Sequence, residues 1–254
     1  MNEPGEFIWY ELITPDPAAA RRFYAPVMGW DFSSMPADGF DYTLAAIGGQ
    51  HVAGVFPLPE GADMPPAWVG YIGVADVDAA VAAIEAEGGR VMLPAKDIAG
   101  VGRMAGVTDP QGVGFMVMRG ASDETSRAFD PAAHGHVNWN EIATPDPARA
   151  RAFYNRHFGW TKSGGMSMGE MGEYEFLDHG GRTIGAMMPL QDGPRPPSFL
   201  FYFGVPDIDR ASRAITAGGG TVVHGPSPIP REMFITVALD PQGAAFGLVG
   251  PRTG

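Results

Sequence analysis

The 254-residue sequence contains no cysteine. Without thiols the chain cannot form a disulfide, a thiolate metal site or a cysteine nucleophile. Basic residues are also scarce, with 17 Lys and Arg against 29 Asp and Glu, and the formal net charge is −12. Because no stretch concentrates Lys and Arg, a phosphate backbone or an anionic membrane surface would be repelled. We therefore expect neither nucleic acid nor a membrane as a partner.

Long apolar runs are missing as well. None is long enough to span a bilayer, and the opening MNEPGEF has neither the basic nor the apolar region of a signal peptide. We expect a cytoplasmic, globular protein. The motifs GxSxG, GxGxxG, HExxH and the P-loop are absent, so nucleophile-elbow hydrolysis, dinucleotide binding, zincin-type hydrolysis and phosphoryl transfer have no motif support.

The sequence does contain an internal repeat. WYELITPDPAAARRFYAPVMGW begins at Trp9, and its counterpart WNEIATPDPARARAFYNRHFGW begins about 130 residues further on, at Trp139. VGYIGVADVDAA from Val69 and LFYFGVPDIDRA from Leu200 repeat at nearly the same spacing. Between the copies, residues 121–135 are polar and small, which is typical of a linker. We predict one domain over residues 1–120 and a second over residues 136–254.

Each copy divides again into two modules of the same plan. The strand-forming segment FIWYELI precedes TPDP, in which Asp16 is predicted as a helix N-cap and Pro17 as the first helical residue. A periodic apolar stripe from Ala20 to Val27 predicts an amphipathic helix that ends at Gly29. Three short apolar segments follow, separated by turn residues. The predicted order is βαβββ four times, which is an α+β fold.

The second module closes with Asp109-Pro110-Gln111-Gly112, a sequence typical of a type I turn before a final strand. The βαβββ order, the TPDP opening that ends in FY and GW, and the DPQG turn together resemble the vicinal oxygen chelate superfamily. This superfamily includes glyoxalase I, extradiol dioxygenases and bleomycin and fosfomycin resistance proteins. The sequence is most similar to its tandem, two-domain actinobacterial members. The resemblance implies two domains with curved mixed sheets, each with a pocket on its concave face.

Enzymes of this superfamily hold a divalent metal ion in that pocket through His, Gln and Glu. The resemblance carries the ligand positions of the first and last strands to Trp9, Val69, Met116, Trp139, Leu200 and Gly247. Indole, alkyl and glycine side chains cannot ligate a hard or borderline cation. The intervening ligand strand of the first copy offers only His51. We therefore predict no metal and no cofactor, which argues against glyoxalase I or dioxygenase chemistry.

Glu11 and Glu141 are the candidate catalytic residues. Strand alternation places Glu11 on the same face as Trp9, and Glu141 on the same face as Trp139. A carboxylate beside an indole is partly desolvated and could serve as a general acid or base. Alternatively, each is a structural residue, bonded to a backbone N–H or paired with an arginine such as Arg103. The sequence leaves both interpretations open.

Two tyrosines are candidates for contact with a ligand. Tyr71 and Tyr202 lie two residues beyond the first-strand positions of the second modules, so alternation predicts them on the concave face. There their rings could stack on a ligand, although core packing explains them equally well. The predicted ligand-binding residues are Trp9, Trp139, Tyr71, Tyr202, Met116, Arg103 and His51.

The sequence favours a metal-free binding protein that holds a small, aromatic metabolite for sequestration, resistance or transport. A small molecule is then the expected partner, and the chain is a monomer with pseudo-two-fold halves or a homodimer. The first alternative is a metal-independent lyase, isomerase or cyclase of secondary metabolism that uses a pocket glutamate as acid or base. The second is a glyoxalase-type metalloenzyme with ligands relocated near His51. Whether the protein is an enzyme stays open.

Overall fold

The computed structural model describes residues 2–37, 40–59, 61–62, 64–193 and 195–253. Within these ranges the chain forms sixteen strands and four α-helices, in the order βαβββ four times. This order confirms the predicted α+β fold of four modules. None of the helices in the described ranges is long and apolar enough to cross a membrane.

The first two modules supply strands β1 to β8. The first module consists of β1 (Phe7–Thr14), α1 (Pro17–Tyr24), β2 (Asp31–Ala37), β3 (Phe40–Ile47) and β4 (Gln50–Pro57). The second module consists of β5 (Ala67–Gly73), α2 (Val77–Ala86), β6 (Arg90–Ile98), β7 (Gly102–Thr108) and β8 (Gly114–Gly120).

The last two modules supply strands β9 to β16. The third module consists of β9 (Val137–Thr144), α3 (Pro147–Phe158), β10 (Thr161–Ser167), β11 (Glu173–His179) and β12 (Arg182–Pro189). The fourth module consists of β13 (Ser198–Gly204), α4 (Ile208–Ala217), β14 (Thr221–Ile229), β15 (Met233–Leu239) and β16 (Ala245–Pro251).

The start of α1 follows the prediction. The Asp16 carboxylate accepts a hydrogen bond from the backbone N–H of Ala19 at 2.9 Å, as an N-cap does, and Pro17 is the first helical residue. The end differs, because the last predicted turn is π-helical and spans Ala25–Gly29. Gly29 closes it in the left-handed region, at φ 73°.

The strands form two mixed sheets. Their orders are β2-β3-β4-β1-β5-β8-β7-β6 and β10-β11-β12-β9-β13-β16-β15-β14. In the first sheet β1 is parallel to β4 and β5 is parallel to β8, whereas the outer pairs are antiparallel. The second sheet repeats this pattern. The first strand of each module is therefore one of the two central strands of its sheet.

The chain also divides into two compact units that each join modules from different halves of the sequence. The first unit contains the residues up to Ile8, Gly70–Ser126 and Trp139–Phe199; the second contains Trp9–Val69, Arg127–Asn138 and the residues from Leu200 onward. Residues 121–135 contain no helix or strand, apart from an isolated bridge between Phe129 and Val137. The predicted domain limits at residues 120 and 136 stay a prediction.

Two repeated motifs, TPDP and DPQG, bind each other within each unit. In the second unit, Gln242 Oε1 accepts from the Asp16 backbone N–H at 2.8 Å, and Gln242 Nε2 donates to the Asp16 carbonyl at 3.0 Å. In the first unit, Gln111 makes the same pair of bonds to Asp146, at 2.8 and 2.9 Å. The motif that opens one module is thus joined to the motif that closes another. Both motifs stabilise the architecture.

The tyrosine of each FY pair anchors its helix to a DPQG turn. Tyr24 Oη donates to Asp240 Oδ2 at 3.1 Å, and Tyr154 Oη donates to Asp109 Oδ2 at 3.3 Å. Both tyrosines are fully buried. Burial first, and then the neighbouring aspartate, raises the pKa of each phenol well above its usual value. Each phenol therefore keeps its proton and stays a hydrogen-bond donor.

Candidate functional site

The first strand of the first module carries two of the predicted site residues side by side. Tyr10 and Leu12 of β1 are fully buried on one face, so alternation places Trp9 and Glu11 together on the other. The register of β1 with its parallel neighbour β4 sets Gly54 directly opposite Glu11. This arrangement of Trp9 and Glu11 follows the prediction.

Tyr42 of β3 connects these two side chains. Trp9 Nε1 donates to Tyr42 Oη at 3.0 Å, and Tyr42 Oη donates to Glu11 Oε1 at 2.7 Å. Glu11 is only 8% exposed, whereas Trp9 and Tyr42 are half-buried. Burial first, and then the Glu11 carboxylate, raises the pKa of Tyr42 well above its usual value, against a smaller opposing effect of the Trp9 bond. We call Trp9, Tyr42 and Glu11 the first cluster.

The first cluster depends on a glycine. Because β4 lies between β3 and β1, the Tyr42 side chain must cross β4 to reach Glu11. A Cβ atom at Gly54 would lie 1.8 Å from Tyr42 Oη and 3.2 Å from Trp9 Nε1. Because Gly54 has no side chain, the Tyr42 ring has room to pass over β4 and reach Glu11.

The third module repeats the arrangement. Trp139 Nε1 donates to Tyr174 Oη at 2.8 Å, and Tyr174 Oη donates to Glu141 Oε2 at 2.7 Å. All three side chains are half-buried. Ala186 of β12 stands opposite Glu141, where the first module has Gly54 opposite Glu11. We call Trp139, Tyr174 and Glu141 the second cluster.

Neither tyrosine of these clusters was among the predicted site residues. A signal was present, because DYTL and EYEFL both place a tyrosine after an acidic residue in the third strand of a module. The separation from Trp9 to Tyr42 is 33 residues, but that from Trp139 to Tyr174 is 35. Because the constant spacing of the repeat is lost here, the two tyrosines do not align at a fixed offset.

Three of the predicted ligand-binding residues, in the second and fourth modules, lie on β5, β8 and β13. Tyr71 of β5 and Met116 of β8 are register partners, and both are buried. Tyr202 of β13 is also buried, and its ring covers Gly247, where a Cβ would lie 2.3 Å from the ring. Contact of Tyr71, Tyr202 or Met116 with a ligand stays a prediction.

Arg103 and His51 have different surroundings. The Arg103 guanidinium binds Asp78 through Nε and Nη2, at 2.9 and 2.8 Å, and binds Asp97 through Nη1 at 3.0 Å. Two aspartates, rather than Glu11, therefore balance the charge of Arg103. His51 is exposed near the start of β4. Their roles in ligand binding stay predictions.

The side chains present do not fit the His and Glu metal centre that the fold family implies. In the part of the chain that the structure describes, no three His, Asp or Glu side chains are grouped so that they could hold a metal ion. At the first-strand ligand positions, the indole N–H groups of Trp9 and Trp139 are hydrogen-bond donors to tyrosines. An N–H donor has no lone pair to offer a cation.

Known proteins share this sequence pattern and fold. The family model described as Glyoxalase/Bleomycin resistance protein/Dioxygenase superfamily matches residues 7–117 and 134–248. "Putative glyoxylase CFP32" from Mycobacterium bovis is 36% identical over 247 residues, which cover 96% of this chain and 94% of that protein. "Anthracycline biosynthesis protein DauV" from Streptomyces sp. (strain C5) is 31% identical over 270 residues, 98% of this chain and 94% of that protein.

Among solved structures, the Mn(II)-bound glyoxalase from Novosphingobium aromaticivorans has the same fold. Its TM-score is 0.65, at 19% identity, and the match covers 98% of this chain and 83% of that one. The match of the family model to both halves and the identity to full-length relatives confirm the resemblance carried by TPDP, FY, GW and DPQG. The chain belongs to the glyoxalase/bleomycin resistance protein/dioxygenase superfamily.

Proposed function

We propose that this protein binds a small, aromatic metabolite at its two Trp–Tyr–Glu clusters and does so without a metal ion. The repeated hydrogen-bond chain from indole to phenol to carboxylate carries this proposal. A half-buried indole offers an aromatic surface for stacking, and the carboxylate beside it accepts hydrogen bonds. Together they suit a planar molecule that bears a hydroxyl group.

The hydrogen bonds of each tyrosine hold the carboxylate of its cluster in a set orientation. An indole can only donate and a carboxylate can only accept, so the phenol between them must accept from one and donate to the other. Tyr42 and Tyr174 therefore hold Glu11 and Glu141 in set orientations. A carboxylate accepts several hydrogen bonds at once, so the tyrosine bond and a bond from a ligand hydroxyl are compatible. Such preorganisation lowers the entropic cost of binding.

The relatives support an aromatic ligand. DauV and DnrV, from two Streptomyces strains, are named anthracycline biosynthesis proteins, and an anthracycline is a polycyclic aromatic compound. A protein that holds such a compound without transforming it would act in sequestration, resistance or transport. The acidic net charge of −12 agrees with a ligand that is neutral or cationic.

Calorimetric titration with 2-naphthol and with its ether, 2-methoxynaphthalene, tests the proposal. The two probes share a ring system, but only the naphthol can donate to a carboxylate. We expect the naphthol to bind more tightly, and Glu11→Gln and Glu141→Gln each to reduce that preference at one site. Glu85→Gln, at an exposed position of α2, is the matched control. Equal affinity for both probes, or loss of binding after treatment with a chelator, would contradict metal-free binding through the glutamates.

The burial of Glu11 favours a second function, that of a metal-independent lyase, isomerase or cyclase. A buried carboxylate that a protonated phenol holds in place is suited to remove a proton from a carbon acid and return it. Exchange of the acidic protons of 2-tetralone with deuterated water, followed by NMR, tests this. We expect wild-type protein to accelerate the exchange and Glu11→Gln to abolish the acceleration, while 2-naphthol still binds to the rings of that site with reduced affinity. Exchange at the same rate with both proteins would rule out Glu11 as the base.

A further inference from the structure

We infer that the second cluster, together with Phe176, recognises an alkylammonium group, whereas the first cluster does not. This inference rests on the proposed function of the two clusters, and it names the ligand chemistry of one of them. It follows from the presence of Phe176 on the strand face of the second cluster, where the first module has Leu44.

Strand register identifies the difference. In the third module, Phe176 of β11 pairs with Ala186 of β12, which pairs with Glu141 of β9. Phe176 is two residues beyond Tyr174, so both side chains lie on the face that carries the second cluster. Ala186 is fully buried, and its strand β12 lies between β11 and β9. The small side chain of Ala186 thus lies between the aromatic side chains of β11 and the Trp–Glu pair of β9.

The first module has the corresponding row of residues, with a leucine at the position of Phe176. There Leu44 of β3 pairs with Gly54 of β4, which pairs with Glu11 of β1. Leu44 therefore occupies the position of Phe176. Both clusters contain the same indole, phenol and carboxylate groups, so the chain contains its own internal comparison.

Three aromatic rings form a corner at the second cluster. The Phe176 ring lies 6.1 Å from the Trp139 ring at an interplanar angle of 81°, and 6.1 Å from the Tyr174 ring at 83°. All three side chains are half-buried, so each retains some surface exposed to solvent. The face of each aromatic ring is electron-rich and attracts a cation within about 6 Å of its centroid. Two rings at about right angles to each other can both direct a face toward the same cation.

A negative charge completes the site. The Glu141 carboxylate is 2.7 Å from Tyr174 Oη and so lies at the border of the aromatic corner. Glu175, between Tyr174 and Phe176 in sequence, points to the opposite face of β11, where Arg151 and Lys162 bind it. Those two cations are therefore not on the face of the corner. Aromatic faces together with a carboxylate match a methylated ammonium group, which is bulky, weakly hydrated and positively charged.

Choline and its uncharged isostere 3,3-dimethylbutanol are the test probes, measured by calorimetry on the full-length protein. They have the same shape and differ in charge. We expect choline to bind at least about fivefold more tightly than the alcohol. Phe176→Leu, which reproduces the first module, should reduce choline affinity by roughly fivefold, and Glu141→Gln should do so at least as strongly. The reverse change Leu44→Phe should add a second, weaker choline site, and Glu85→Gln is the neutral control.

Equal binding of choline and the alcohol to the wild-type protein would overturn the inference. So would unchanged choline affinity in a folded Phe176→Leu variant, and circular dichroism establishes that the variant is folded. Titration of the same samples with 2-naphthol tests the proposed function separately from the ammonium site. If 2-naphthol binds as expected but choline does not, only the ammonium site is refuted; if neither binds, the proposed function fails with it.

Discussion

Replacing Gly54 with alanine should break the first cluster and leave the second intact. The added Cβ would lie 1.8 Å from Tyr42 Oη, so the hydroxyl has to move by about 1 Å or more to restore van der Waals contact. That displacement disrupts its 2.7 Å bond to Glu11 and its bond from Trp9. A buried carboxylate that loses its donor costs about 1–3 kcal/mol.

The backbone conformation of Gly54 also affects the predicted loss of stability. Gly54 does not have a positive φ, so alanine introduces no backbone strain and stabilises the fold by about 0.4–1 kcal/mol through the unfolded state. The net expectation is a loss of roughly 1–2 kcal/mol in the free energy of unfolding, together with the loss of one of two 2-naphthol sites. Urea denaturation followed by circular dichroism measures the first, and calorimetric stoichiometry measures the second.

A double-mutant cycle isolates the cause. In a Tyr42→Leu background the phenol is absent, so adding Gly54→Ala should be neutral or slightly stabilising. In the third module Ala186 occupies the matching position and the bonds of Tyr174 still form, so the clash predicted at Gly54 comes from the path of the Tyr42 side chain. Wild-type stability and two intact naphthol sites in the Gly54→Ala protein would refute the steric reasoning. An equal destabilisation in the Tyr42→Leu background would refute the role assigned to the tyrosine.

Three further changes follow from the structure. The pKa of buried Tyr24 is raised, so the folded state retains a proton that the unfolded chain releases above about pH 10, and stability should fall with rising pH beyond that point. Tyr24→Phe should make this alkaline fall shallower, with Tyr154 and Tyr42 contributing the rest, measured as the free energy of unfolding between about pH 8 and 11. Glu232, exposed and left-handed at φ 57°, should be replaceable by glycine with a gain of about 1 kcal/mol in that free energy. Gln242→Ala removes both bonds to Asp16 and should cost about 1–2 kcal/mol, read from the same denaturation curves.

Each of these three substitutions has its own control measurement. An alkaline fall of equal slope in wild type and Tyr24→Phe would show that the buried phenol is not its source. Glu232→Ala keeps the left-handed strain and should give no gain, so an equal gain from alanine would contradict the backbone explanation. Gln50→Ala, at a half-buried position at the start of β4, controls for the loss of a glutamine as such, and an equal cost there would contradict the importance of the motif contact.

The local elements of this protein were predictable from the sequence. Asp16 caps α1, Pro17 begins it and Gly112 donates back to Asp109 in the DPQG turn, at 3.1 Å. Each of these features involves residues at most four positions apart, so the local sequence is sufficient to specify it. The tandem repeat added that the same order of helices and strands forms in both halves. Strand alternation likewise placed Trp9 beside Glu11 without knowledge of any partner strand.

The motif contacts between modules were not predictable in this way. Asp16 binds Gln242, which lies 226 positions away in sequence, and nothing within the TPDP motif selects that partner. The motifs were correctly assigned to a helix start and a turn. Their role in joining two modules appears only when the chain is folded, because a hydrogen bond between distant residues depends on the docking of whole modules.

The sequence by itself determined the repeat, the four βαβββ modules and the pairing of an indole with a carboxylate on the first strands of the first and third modules. Only the tertiary structure decided that Tyr42 and Tyr174 complete those pairs, that Gly54 leaves room for one of them and that Phe176 adds a third ring to the other. The physical reason is strand register. Which residues of β3, β4 and β1 stand opposite one another depends on how separate strands align, and a shift by one residue would turn every side chain to the other face.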